Sequence, residues 1–268
     1  MSAPTAPLLV EAPPAGPRRP PGRALLAVLA GLVVASGTVD VLADLTATRS
    51  ESTEVFSAVR ALRTAGDTGD VTVTALPGQR DVRVRTLVHE GWTRSRHGAE
   101  VVGGELRLSS RCSGGALLSP CETSWEVTVP EGLALDMRTG TGDQVLTGAF
   151  GAVSARAGTG DVRWEGTGTS LDARTGTGEL ELDGAVARVR ARTGTGDVEA
   201  RFERAPDDVQ VTTGTGDATV LLPGDARYDA SATSDLGEPH VEVPVDTSSP
   251  RRVAVRTSTG DAAVLVAP

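Results

Sequence analysis

Three amino acids are missing from this chain of 268 residues. It contains no lysine, no asparagine and no isoleucine, so all 26 of its basic residues are arginine. Because the missing residues share codons rich in A and T, we attribute the gap to coding bias. Aromatic residues make up only 3% of the chain, whereas glycine occurs 32 times. A core with so few rings suits a thin layer of stacked strands better than a deep globular interior.

Several function classes find no support in the sequence. The net charge of −9 argues against a nucleic acid partner. The three histidines, His89, His97 and His240, lack metal-ligand spacing, and no serine, histidine and acid form a recognisable triad. The Gly-x-Gly strings lack the third glycine and the following helix of a nucleotide site. We therefore predict a protein that is not an enzyme and has no cofactor, nucleotide or nucleic acid ligand.

A five-residue turn recurs between residues 137 and 220 and ends each time in an acid. The closing acids are 18, 18, 18 and then 20 residues apart, close to the period of stacked repeats. A degenerate copy spans residues 257–261. The five regular copies occupy residues 139–143, 157–161, 175–179, 193–197 and 213–217.

Apolar residues alternate with polar ones on both sides of each turn. Val162 and Trp164 flank Arg163 after one turn, and Leu171 and Ala173 lie before the next. Strict alternation is typical of a half-buried strand. We predict an all-β fold, a flattened β-solenoid of two parallel sheets with a period of about 18 residues. An antiparallel β-meander or sandwich fits the same strands and stays the alternative.

The N-terminal region predicts a membrane anchor. Residues 1–23 are rich in proline and predict a disordered cytoplasmic tail. Residues 24–39 carry no charge but are slightly too few to span a bilayer, so the predicted transmembrane helix extends to residue 45 and includes Asp40 and Asp44 near the outer interface. Residues 46–58 predict a polar stalk, and residues 59–268 predict an extracytoplasmic β-repeat domain.

Charge orients this anchor. Arg18, Arg19 and Arg23 precede the apolar run, which predicts a single-pass protein with its N-terminus in the cytoplasm. The alternative is secretion after cleavage of a signal peptide, for which residues 41–43 offer a small-residue site.

Cys112 and Cys121 are the only cysteines. Because cysteines in exported proteins are usually paired, we predict a local disulfide that pins a hairpin tip; two free buried thiols are the alternative.

The acids that close the turns are the one candidate metal site. If repeats stack in register, the five carboxylates align at about 4.8 Å and could attract calcium. The alternative is that each acid caps its turn by accepting bonds from backbone N–H groups. An arginine five residues before each of four acids predicts a second column that offsets their repulsion. The acids are Asp143, Asp161, Glu179, Asp197 and Asp217, and the arginines are Arg138, Arg156, Arg174 and Arg192.

The order of these segments resembles the bacterial putative-adhesin domain family, over about residues 55 to 266. The matching stretches are residues 125–130, 133–135, the Thr-Gly-Thr-Gly-Asp series, 220–223, Tyr228 and 259–261. The resemblance implies a β-solenoid-like fold at the cell surface, often behind a membrane anchor, and no catalytic or binding residues. We therefore predict a non-enzymatic, membrane-anchored surface protein with an unidentified envelope partner. The alternative is an envelope-stress or signalling accessory with an extracytoplasmic sensing domain.

Overall fold

This computed structural model describes residues 48–91, 94–113 and 121–268. Within these ranges the chain is all β, and none of it forms a helix able to span a membrane. The predicted tail and transmembrane helix lie outside them. The strands are β1 Thr48–Phe56, β2 Ala61–Thr68, β3 Val71–Leu76, β4 Val82–Glu90, β5 Arg94–Val102, β6 Glu105–Ser113, β7 Cys121–Pro130, β8 Ala134–Thr141, β9 Gln144–Ala149, β10 Ala152–Thr159, β11 Val162–Thr177, β12 Leu180–Thr195, β13 Val198–Phe202, β14 Asp208–Thr215, β15 Ala218–Leu222, β16 Asp229–Leu236, β17 Pro239–Val241, β18 Arg252–Thr259 and β19 Ala262–Val266.

The repeats stack as parallel strands in two rows. The first row holds the strands that enter the Thr-Gly turns, and the second row holds the strands that leave them. The first row runs β6, β2, β8, β10, the end of β11, the end of β12, β14, β18 and β16. The second row runs β7, β3, β9, the start of β11, the start of β12, β13, β15, β19 and β17.

Parallel pairing in register contradicts the antiparallel meander for the repeats. Each residue of β11 faces its equivalent on β12, as Ala173 faces Ala191. The two rows are not separate sheets, however, because β11 and β12 continue through the second turn and join all strands into one sheet. Positive φ values of 148° at Gly166 and 138° at Gly184 bend these strands without interrupting their pairing.

The predicted inward positions of the repeats are confirmed. Val162 and Trp164 in the second row are 0% and 1% exposed, and Leu171 and Ala173 in the first row are 2% and 0% exposed. They belong to one apolar cluster that continues through the stack. Burial of this apolar surface is the main favourable term in folding.

At the N-terminal end the strands depart from the parallel pattern. β1 pairs antiparallel with β4, β4 with β7, and β5 with β6. The predicted polar stalk is corrected here, because residues 48–56 of that segment form β1. Serine, threonine and charged residues leave both faces of this strand hydrated. Its backbone N–H and C=O groups pair with those at the edge of β4.

The C-terminal end is closed by a strand inserted out of order. The degenerate turn at residues 257–261 follows β18, which lies between β14 and β16 in the first row. β16 therefore forms the last rung, although it precedes β18 in the chain. Tyr228, just before β16, is 0% exposed and donates to the carbonyl oxygen of Pro223 at 3.0 Å. Burial, assisted by the charge of Asp225, raises the pKa of the Tyr228 hydroxyl.

The phase of the strands predicts opposite results for two neighbouring substitutions. Ala173→Asp places a charge between Ala155 and Ala191 inside the stack, and we expect it to unfold the domain. Asp172 points outward and pairs with Arg174 at 2.7 Å, so Asp172→Ala should cost no more than about 1 kcal/mol. Thermal unfolding followed by circular dichroism measures both, and similar losses would contradict the assigned phase.

Candidate functional site

Stacking in register brings the predicted acids together in one line, which we call the turn column. Asp143, Asp161, Glu179, Asp197 and Asp217 each end a turn that lies directly beside the equivalent turn of the next rung. The column also includes Asp70 at one end and Asp261 and Glu238 at the other, and all these acids are exposed to solvent. It is the most regular array of ionisable groups in the described residues.

Glycine makes the close approach of these turns possible. Gly160 has a φ of 135°, a region that side chains rarely adopt, and a Cβ there would collide with the carbonyl oxygen of Gly142. A Cβ on Gly158 would lie 2.5 Å from the carbonyl oxygen of Gly140. Backbone bonds run through the turn as well, since Gly160 N–H donates to Thr177 O at 2.9 Å.

Each aspartate in the turn column accepts a hydrogen bond from the backbone of the next rung. Asp161 N–H donates to Asp143 Oδ1 at 2.9 Å, and Glu179 N–H donates to Asp161 Oδ1 at 2.8 Å. The same bond joins Asp217 N–H to Asp197 Oδ1 at 2.8 Å. The carboxylates therefore cap backbone groups between rungs, which is the structural alternative considered for these acids.

Glu179 interrupts this series of bonds. Its side chain is one methylene longer, and Asp197 N–H makes no bond to Glu179 in the described structure. At the N-terminal end a hydroxyl replaces the carboxylate, since Asp70 N–H donates to Ser124 Oγ at 3.0 Å. The cap thus depends on the length of the acceptor side chain and not on charge alone.

A second line of polar groups, not predicted from the sequence, lies inside the turns. Thr175 is 6% exposed, and its Oγ1 donates to the carbonyl oxygen of Gly160 at 2.8 Å. Thr193 donates in the same way to Gly178 O at 3.0 Å. The alternation already held the signal, because Thr175 follows Ala173 by two residues and must point inward.

A buried glutamine replaces one apolar residue of the repeat. Gln144 is 0% exposed at the position that Val162 occupies in the next rung. Its Nε2 donates to Thr139 Oγ1 at 2.9 Å and to the carbonyl oxygen of Arg156 at 2.8 Å. These bonds tie the first regular turn to the following rung, so this residue has a structural explanation.

The turn column has no arrangement typical of a calcium site. Among the residues described here, no three of histidine, cysteine, aspartate and glutamate are placed to hold a metal ion. One oxygen of each bonded aspartate already accepts a backbone N–H. A calcium loop instead surrounds its ion with six to eight oxygens.

The predicted arginine column exists, but its partners are different from those expected. Arg138, Arg156 and Arg174 lie side by side, as the register requires. Arg138 and Arg174 pair with Asp136 and Asp172, two residues earlier on their own strands, at 3.3 and 2.7 Å. Arg156 lies 3.6 Å from both Asp136 and Asp172, which are on the two neighbouring strands. The expectation that these arginines offset the charge of the turn column is therefore corrected. Side chains two apart on a strand share a face, so the arginines lie beside Asp136 and Asp172 and not beside the acids of the turns.

Cys112 and Cys121 form a disulfide in the structure, with a Cα to Cα distance of 5.9 Å. The bridge joins the end of β6 to the start of β7. It lies at the N-terminal end of the stack and contributes no group to the turn column.

Comparison with known proteins gives one family and several solved structures. The family model described as Toastrack DUF4097 matches residues 134–267. No curated protein matches the chain. A putative cell adhesion protein from Clostridium sporogenes is 11% identical, and the match covers 82% of this chain and 100% of that chain with a TM-score of 0.38. A putative adhesin from Bacteroides fragilis is 13% identical, with 82% and 97% of the two chains covered and a TM-score of 0.43. A putative lipid binding protein from Parabacteroides distasonis is 11% identical, with the same coverage and a TM-score of 0.45.

The turn column predicts a difference between two exposed acids. Asp161→Ala leaves the N–H of Glu179 without its acceptor, and we expect a loss of about 1 kcal/mol in the free energy of unfolding. Glu179→Ala is the matched control and should change it by less than about 0.5 kcal/mol. Urea unfolding measures both.

The reverse substitution tests the same idea in the opposite direction. Glu179→Asp supplies the shorter side chain that the other rungs use, so it should stabilise the domain by about 0.5–1 kcal/mol. A loss of stability in this variant, or equal losses in the two alanine variants, would contradict the capping role.

The effect of calcium on the melting temperature distinguishes a capping role of the turn column from a metal site. Because the carboxylates already accept backbone bonds, we expect the same melting temperature in millimolar calcium and in chelator. A calcium-dependent rise that Asp161→Ala abolishes would instead establish a metal site in the turn column.

Proposed function

We propose, from the premise that this chain belongs to the Toastrack DUF4097 family, that it is a non-enzymatic interaction protein anchored in the cell membrane. Its β-solenoid stands outside the membrane and presents a repeating outer surface to a partner in the envelope. The observation that carries the proposal is the regularity of that surface. Equivalent outward residues recur on neighbouring rungs, as Arg156, Arg174 and Arg192 do.

A stacked repeat suits binding better than catalysis for a physical reason. Parallel strands in register hold equivalent side chains at about 4.8 Å, so a partner meets the same group several times over. The acids of the turn column, which repeat most regularly, are already engaged in bonds between rungs. This leaves the outward sides of the strands as the surface for a partner.

The anchor part of the proposal is supported by the sequence. Residues 24–39 carry no charge, and Arg18, Arg19 and Arg23 precede them. This charge pattern favours a cytoplasmic N-terminus and an external domain.

Two tagged forms of the full chain test location and orientation. With a tag at the C-terminus, protease added to intact spheroplasts should remove the tag, while a tag at the N-terminus should stay protected until the cells are lysed. Both forms should sediment with membranes and resist extraction by alkaline carbonate.

The same experiment has a clear contrary result. Recovery of a shortened chain in the medium, with the N-terminal tag lost, would contradict the anchor and favour a cleaved signal peptide. A C-terminal tag that is protected on intact spheroplasts would contradict an external domain.

A further inference from the structure

Charge is distributed unevenly along the outward side of the first row. Over β8, β10 and β11, the arginines face Asp136 and Asp172 and pair with them. From β12 onward the pattern changes, because exposed arginines continue while acids become rare. We call the following five residues the arginine grid: Arg188, Arg190 and Arg192 on β12, and Arg252 and Arg256 on β18.

The guanidinium groups of the grid have no ionic partner in the part of the chain that the structure describes. All five side chains are exposed, and none lies within 4.0 Å of a carboxylate oxygen. Three acids lie beside them in the strand register, Asp172 next to Arg190, Asp208 between Arg188 and Arg252, and Asp229 next to Arg252. The local charge remains positive, in contrast to the net charge of −9 for the whole chain.

The outward side of the second row and the turn column do not share this excess. On the outward side of the second row, Arg163 pairs with Glu181, and Arg201 lies 3.7 Å from Glu199. The turn column is wholly acidic. The outward side of the first row therefore carries a basic area, although the net charge of the chain is negative.

The grid also has a fixed spacing. Neighbouring strands lie about 4.8 Å apart, so β12 and β18, with β14 between them, lie about 9.6 Å apart, and residues two apart on one strand lie about 6.6–6.8 Å apart. Buried neighbours such as Val189 and Ala191 fix the backbone beneath it. Five cations thus project from a rigid surface in a two-dimensional pattern.

We propose that the arginine grid binds an extended phosphate polymer of the cell envelope. This inference rests on the proposed function, whose partner it specifies. Guanidinium groups form paired hydrogen bonds with phosphate oxygens, and several weak contacts on one polymer add up to a stable complex. The open depression of about 230 Å³ beside Arg188 and Arg190 is also lined by Asp172 and Asp208, so we place the polymer across the exposed guanidinium groups and not inside it.

The composition of the grid favours a polymer over a bilayer. Proteins that lie on membranes combine basic residues with apolar side chains that enter the lipid. Between the arginines lie the small or polar residues Gln210, Thr212 and Ala254 and the acid Asp208, none of them a large apolar side chain. The exposed large apolar residues of the described chain, such as Leu236 and Val266, lie outside the grid.

The binding test uses the full chain in detergent micelles and fluorescent polyphosphate as the probe. Fluorescence anisotropy should show binding that weakens steeply with salt, because bound phosphates release counterions. The variant Arg188→Gln/Arg190→Gln/Arg192→Gln should lower affinity by about tenfold or more. Its matched control, Arg49→Gln/Arg80→Gln/Arg83→Gln, removes three exposed arginines elsewhere and should stay within about twofold of the unmodified chain.

Two competitors complete the test. Inorganic phosphate at the same phosphate concentration should compete poorly, because single ions cannot bridge several arginines. Equal competition, equal losses in the two triple variants, or binding to phosphatidylglycerol vesicles without binding to polyphosphate would each overturn the proposal. Because the purified chain is used, failure here leaves the proposed membrane location untouched, and a failed location test leaves this binding intact.

Discussion

The backbone of each rung passes so close to the next at the Thr-Gly turns that the repeat depends on this contact. At Gly158 and Gly160 the neighbouring carbonyl oxygens occupy the space that a Cβ would need. Both positions are glycine in the five regular turns, the second with a positive φ, whereas the turn at residues 257–261 keeps only the second, Gly260. Once the turns stack, the strands on either side have only one register, which places every apolar residue of the alternation inside the sheet.

The polar residues of the turn secure that register from both sides. Outside, Asp143 accepts a backbone bond from Asp161, and inside, Thr175 donates to Gly160 O. Each of these side chains bonds to the backbone of a neighbouring rung, and Thr175 Oγ1 also lies 3.2 Å from Thr177 O in its own turn. The small polar residues that recur in the motif therefore join neighbouring rungs.

The polar groups of the turns bond to neighbouring rungs. In the proposed function a partner therefore binds the outward sides of the strands. Their charge follows from the strand pattern, because residues two apart share a face and residues 18 apart are neighbours across the sheet. Over β8 to β11 this places arginines beside aspartates. In β12, three arginines at alternating positions face few acids, and the face becomes basic within an acidic protein.

The sequence by itself determined the strands and the inward positions of the repeats, because alternation is a local signal. The 18-residue period favoured stacking, but an antiparallel meander stayed open until the structure showed parallel pairing in register. It also held the signal for the buried threonines. Only the tertiary structure decided which strands pair outside the regular repeats and which charged side chains form ion pairs. Residues 48–56 form a strand because the edge of β4 accepts them, and β18 enters the stack ahead of β16. Arg156 pairs with Asp172 and not with a turn acid. These pairings join residues far apart in the chain, and local pattern carries no information about which distant edge or charge a segment will meet.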